Sequence, residues 1–217
     1  MKTTIFTVVL LILATITACS GGYTKWEKDV IIKGATLNST QDVEFTKIRY
    51  SIKDGDTNAI VGYLKNDAVI NSFPIKTGWV HFDKGWDLEL FCLAENAEVY
   101  SVKAIKDAWV LKGRTDKIIL VLPEDMEVQG MPCKGGGGPK GIHTSFYRTG
   151  ELRSFFASEE VEIDGVYCKS TVFTNVVLYK NGKLKSAKLS RPYVYETGEI
   201  KKGKKIKFDE NGNLMKK

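Results

Sequence analysis

Three stretches of the sequence follow one pattern: Phe146-Tyr147-Arg148-Thr149-Gly150-Glu151-Leu152, Leu178-Tyr179-Lys180-Asn181-Gly182-Lys183-Leu184 and Phe208-Asp209-Glu210-Asn211-Gly212-Asn213-Leu214. Each is an apolar residue, a polar turn holding Gly, and Leu six positions on. Self-similarity of this kind marks a repeat architecture, in which a unit too small to bury its own faces stacks on its neighbours. A second motif precedes two of the turns, as Val128-Gln129-Gly130-Met131-Pro132-Cys133-Lys134 and Ile163-Asp164-Gly165-Val166-Tyr167-Cys168-Lys169. A weaker copy, Ile70-Asn71-Ser72-Phe73-Pro74-Ile75-Lys76, is followed by Phe82 and Leu88, again six apart. Leu64, Leu93, Leu122 and Ala157 each stand six positions before Ile70, Val99, Val128 and Ile163. The units therefore run Leu64–Phe91, Cys92–Val121, Leu122–Phe156, Ala157–Lys188 and Leu189–Lys217, with a period of about 30 to 35 residues. Residues 64–217 form the tandem-repeat domain, and 26–63 is expected to hold a degenerate first copy.

The units read as strands. Asn175-Val176-Val177-Leu178-Tyr179 is β-rich and is followed by Asn181-Gly182, a strong hairpin signal that predicts a type I′ turn with both residues at positive φ. Val161 to Val166 alternates apolar and polar, as a single strand would. No helical stripe with caps is found after the first 20 residues. The expected fold is all-β: tandem antiparallel β-hairpin repeats, two or three short strands per unit, forming an elongated sheet or open β-roll.

The N-terminal end has a different character. Lys2 is followed by an almost unbroken apolar run from Ile5 to Ile16, twelve residues long. At ~1.5 Å per residue it is too short to cross a hydrocarbon layer of roughly 30 Å, but it has the size of a signal-peptide core. Ile16-Thr17-Ala18-Cys19 then resembles the lipobox of bacterial lipoproteins, an aliphatic residue and two small ones before cysteine. That resemblance implies a signal peptide over 1–18, lipidation of Cys19 and a flexible tether over 19–25. Residue 20 is Ser rather than Asp, which by the same resemblance implies an outer-membrane destination. The hairpins at 146–152, 178–184 and 208–214 resemble the variant MORN (YwqK-like) repeats of bacteria. This resemblance implies a β-hairpin array with no catalytic residues.

Candidate chemical groups were weighed against structural roles. Cys133 and Cys168 occupy the repeat position that holds Ile75, so an apolar core role is preferred over a disulfide for them and for Cys92. His81 and His143 stand at non-equivalent positions with no connected carboxylate and nucleophile, and no paired-Cys or paired-His spacing supports a metal site. The run Gly135-Gly136-Gly137-Gly138-Pro139-Lys140-Gly141 lacks the Ser or Thr of a phosphate loop and is expected to be an exposed flexible turn. Lys201, Lys202, Lys204, Lys205 and Lys207 are candidate anion-binding residues; the alternative is the solvated edge of a capping unit. Trp79, Trp86 and Trp109, with Phe73, Phe82 and Phe91, are read as core, with an exposed binding face as the alternative.

The formal charge of +6 is too small to imply nucleic acid by itself. Together these features lead to an expected lipid-anchored bacterial envelope protein that is non-enzymatic and uses no cofactor. It would be held to the membrane through Cys19 and would act as a scaffold contacting an envelope or host protein. One alternative is a basic adhesion module that binds anionic glycan or lipid. The other is an envelope hydrolase acting on cell-wall polysaccharide through a carboxylate pair such as Glu159-Glu160.

Overall fold

The computed structural model describes residues 21–112, 117–171 and 173–215. Cys19, the apolar run before it and the last two lysines lie outside the described residues. The architecture is an open antiparallel sheet of 15 strands, with further short hairpins outside it. Eleven of the 15 follow one another in chain order: Val43–Lys53, Asp56–Leu64, Gly78–Asp83, Leu88–Cys92, Trp109–Lys112, Lys117–Val121, His143–Tyr147, Leu152–Phe155, Val176–Leu178, Leu184–Leu189 and Lys205–Lys207. The two ends of this sheet do not pair with each other, so it does not close into a barrel.

Between successive sheet hairpins the chain makes a second, shorter hairpin. These are Ala68–Ile70 with Phe73–Ile75, Ala97–Val99 with Val102–Ala104, Met126–Val128 with Met131–Cys133, Val161–Ile163 with Val166–Lys169, and Tyr193–Tyr195 with Gly198–Ile200. A full unit therefore has four strands, not two or three. The segment read as one strand from Val161 to Val166 is two strands around Asp164-Gly165, whose φ values are 52° and 76°. Asn71-Ser72, Tyr100-Ser101 and Gln129-Gly130 likewise hold two consecutive residues at positive φ, the signature of the tight type I′ turn.

The turns of the main sheet use another device. At Asn181-Gly182 only Gly182 has positive φ, 81°. Its N–H donates to the Tyr179 carbonyl at 3.0 Å, the Tyr179 N–H donates to Lys183 at 2.8 Å, and the register shifts beside Leu178. This is a type I turn closed by a left-handed residue in a bulge, not the expected type I′. Gly150 and Gly212 repeat the bonding, and Trp86 occupies the same left-handed position at φ 68°.

The core lies between the inner face of the sheet and the row of short hairpins. Phe82, Leu88, Phe91, Val110, Leu120, Phe146, Phe155, Leu178 and Ile206 come from the sheet, and Ile70, Ile75, Val99, Val102, Cys133, Ile163, Val166 and Cys168 from the hairpins, all in one buried cluster. Three of the following units are tied near their start to the hairpin before them: Ile75 bridges Leu93, Cys133 bridges Ala157 and Cys168 pairs with Leu189. Units thus share core and backbone bonds with their neighbours.

The segment 26–63 differs from a full unit. In place of a short hairpin it has a 3-10 turn, Gly34–Leu37, whose buried Leu37 accepts a bond from the Asn71 N–H at 2.9 Å. It caps the array. Gly22–Tyr23 pairs with Ser51 and Ile52, and the Thr24 N–H donates to Tyr50 at 2.8 Å. The stitched chain therefore begins inside the span expected to be tether.

Candidate functional site

Strand alternation sends one set of side chains into the core and the other to the opposite face, which the short hairpins do not cover. At the N-terminal end this second face is built from strands Val43–Lys53, Asp56–Leu64 and Gly78–Asp83. Their registers place Lys47, Tyr63 and Trp79 in one row and Arg49, Val61 and His81 in the next. Tyr23 and Trp26 join from the edge. The Trp26 and Trp79 rings lie 5.8 Å apart, and Tyr63 meets Trp79 edge-on at 5.2 Å. Lys47 Nζ sits 5.0 Å from the Trp26 centroid and 4.9 Å from that of Trp79. The Arg49 guanidinium lies 4.0 Å over Tyr23 and 4.4 Å over Trp26. Cations held over ring faces in this way are attracted by the ring quadrupole. Tyr23 is 57% exposed and Trp79 37%. Neither cation has a carboxylate partner among the described residues, whereas Lys33, Lys65, Lys76, Lys112 and Arg191 each pair with one. Arg49 Nε is buried with no hydrogen-bond partner.

The aromatic residues singled out in the sequence thus separate by face. Phe82 and Phe91 are buried in the core, and Phe73 and Trp86 pack against it. Phe73 stacks on Phe91 at 5.6 Å and Trp86 lies 5.4 Å from Phe82. Trp79 belongs to the uncovered face, and Trp109, paired with Cys92, shares its side. Tyr23, Trp26, Lys47 and Arg49 carried no sequence signal. Only the strand pairing brings them to Trp79.

The three cysteines are free and buried. Burial pushes the Cys133 and Cys168 thiols up to about 12 and Cys92 to about 11, so none is a ready nucleophile. His81 is pulled down by burial and then by the charge of Arg49; His143 is pulled down by burial and by Lys117. The two imidazoles stand on strands four steps apart in the sheet. Glu160 is paired with Arg191, which covers the Tyr167 ring at 3.9 Å, while Glu159 is exposed. Both carboxylates border a shallow hollow of about 370 Å³ with Ser190 and Lys202, not a deep cleft with two carboxylates opposed. A larger hollow of about 590 Å³ opens between the second and third short hairpins, floored by Leu120 and Phe146. Among the described residues no group of His, Cys, Asp and Glu is placed to hold a metal.

The glycine run is partly exposed, with Gly137 and Lys140 at the surface, and is folded closely on itself. Gly138–Lys140 is a 3-10 turn packed against strands Trp109–Lys112 and Lys117–Val121. A Cβ on Gly141 would lie 2.0 Å from the Gly136 carbonyl oxygen, and one on Gly135 would lie 2.1 Å from that of Glu124. At Gly135, Gly137 and Gly141 the backbone passes too close to itself for any side chain, whereas Gly136 and Gly138 hold positive φ with open space around them. Lys201, Lys202, Lys204, Lys205 and Lys207 are all exposed, with no ion pair among the described residues. Lys205 and Lys207 flank the buried Ile206 on the last sheet strand. The five lysines lie at the far end of the sheet from the aromatic cluster. No protein-family model, curated protein or solved structure matches the chain.

Proposed function

We propose that this chain is a lipid-anchored bacterial envelope protein, attached through Cys19, whose β-repeat body is a non-enzymatic scaffold. The uncovered face of the sheet presents its side chains to an envelope or host component. The observation that carries this reading is the cluster of Tyr23, Trp26, Tyr63 and Trp79 around Lys47 and Arg49. It places large apolar rings and two cations without carboxylate partners on the side of the sheet away from the core, a composition suited to recognition. The lipobox-like Ile16-Thr17-Ala18-Cys19 and the resemblance of the hairpins to variant MORN repeats support the same reading. The outer membrane is the proposed destination. Cells fed labelled palmitate should incorporate it into the native protein and not into Cys19→Ser. A photo-reactive group at the exposed Tyr63 should capture a discrete envelope component. Absence of label, or label that persists in Cys19→Ser, removes the anchor.

A second reading is favoured by the five exposed lysines of the terminal unit. They would form a basic adhesion surface for anionic glycan or lipid. Replacing Lys201, Lys202, Lys204 and Lys205 by Gln should then abolish salt-sensitive binding to an acidic polysaccharide. Unchanged binding ends that reading.

A further inference from the structure

We infer that the aromatic–cation cluster is a membrane-seating surface, on which Trp26, Tyr63 and Trp79 enter the headgroup layer while Lys47 and Arg49 engage anionic lipid phosphates. This rests on the reading of Cys19 as the acylated residue. Tyr23 stands four positions after Cys19, so even a fully extended link spans only about 14 Å. Tyr23 is itself paired into the sheet edge, with its ring against Arg49. A lipid on Cys19 therefore holds this end of the sheet within reach of the bilayer.

The chemistry of the face matches that position. Trp and Tyr rings are amphipathic and settle at the boundary between headgroups and acyl chains. The six side chains Tyr23, Trp26, Lys47, Arg49, Tyr63 and Trp79 include two cations and no carboxylate, which complements an anionic leaflet. They extend over the edge strand and the next three strands, about 14 Å at the usual strand spacing. The cations lie over the rings with no ion pair among the described residues, so the Lys47 ammonium and the Arg49 Nη groups keep N–H donors for phosphate.

The test uses the full-length acylated protein reconstituted into phosphatidylcholine vesicles with and without phosphatidylglycerol, some lipids carrying bromine near the top of the acyl chain. Bromine should quench tryptophan fluorescence strongly when phosphatidylglycerol is present and weakly when it is absent or when salt is raised. Lys47→Gln with Arg49→Gln should lower the docking equilibrium by about 25-fold, roughly fivefold per charge, with palmitate labelling unchanged. The native protein's lipid and salt dependence stands independently of whether that variant folds. Labelled protein whose tryptophans are not quenched in anionic vesicles overturns the seating surface and leaves the anchor intact. The same holds for quenching indifferent to phosphatidylglycerol, or for a face that instead binds soluble polygalacturonate. Protein that takes up no palmitate overturns the anchor, and the seating surface with it.

Discussion

Cys133 and Cys168 are both fully enclosed, and burial pushes each thiol up to about 12 from an ordinary value of 9.0. The folded core accepts the protonated thiol and rejects the thiolate, whereas the unfolded chain ionises freely above about pH 9. Below that pH both states hold the proton, and the stabilisation is fully present. As pH rises from 9 towards 12 the unfolded state releases protons that the folded state keeps, so stability is lost over that window. At pH 10 the loss is about 1.4 kcal/mol per thiol. Urea denaturation under reducing conditions at pH 8 and pH 10 should show this loss in the native chain. The double variant Cys133→Ala and Cys168→Ala should lack about twice that increment, which separates it from other groups titrating in the same range. Trp86 gives a second residue-level case. It holds φ 68° where the equivalent turns have Gly150, Gly182 and Gly212. Trp86→Gly removes about 1 kcal/mol of left-handed strain but gives up about 2 kcal/mol of ring packing against Phe82. It should therefore destabilise by about 1 kcal/mol, similar to Gly182→Ala, where strain alone is added. A higher urea midpoint for Trp86→Gly would mean that the ring contributes less than the strain costs. The apolar nature of the cysteine sites was legible because Ile75 stands at the same repeat position. The strain at Trp86 was not, because an aromatic in a polar turn looks like a core residue until its φ is known.

Single elements show where local sequence patterns stop being informative. A strand and a two-residue hairpin both keep apolar residues in alternation, so Val161 to Val166 reads identically either way, and only the turn at Asp164-Gly165 separates them. The tandem hairpins and the sheet were legible from the recurring spacings. The aromatic–cation cluster was not, because Trp26, Arg49 and Trp79 are brought together only by strand register. In the glycine run, Gly135, Gly137 and Gly141 permit close backbone approach, which composition alone does not separate from flexibility. Among the described residues the last sheet strand, Lys205–Lys207, pairs on one side with Leu184–Leu189 and has only the Met215 N–H bonded to Lys207 on the other. Lysine on such an edge discourages pairing with a second molecule. Replacing Lys205 and Lys207 by Val should leave Ile206 and the fold in place while exposing an apolar, β-prone edge. Sedimentation velocity should then show concentration-dependent association that the native chain lacks. A strictly monomeric variant would mean that the C-terminal residues already block the edge.

On the scale of the molecule, each unit bonds chiefly to its neighbours. Tyr147 donates to the Leu178 carbonyl at 3.0 Å and Tyr179 to that of Phe208 at 2.9 Å, so equivalent tyrosines tie one turn to the strand end of the next unit. Ten inter-strand steps separate Val43–Lys53 from Lys205–Lys207, about 48 Å at the usual spacing, and ordinary twist accumulates to roughly 200° over them. The terminal lysines and the aromatic cluster therefore lie at opposite ends of the sheet, and a membrane seated on one leaves the other free for a soluble partner. Stability in such an array is a sum of unit and interface contributions, so the ends should open without the middle. Among the described residues the last unit packs on one neighbouring unit, and its short hairpin Tyr193–Tyr195 with Gly198–Ile200 buries no residue fully. Its contact with the array runs through Leu189, Ile206 and Phe208. Ile206→Ala should cost about 3 kcal/mol, taken almost wholly from that unit. Native-state hydrogen exchange should show protection collapsing over 189–208 and preserved over 78–155. An equal loss along the whole chain would show that the repeats unfold as one cooperative body, and the nearest-neighbour account would fail.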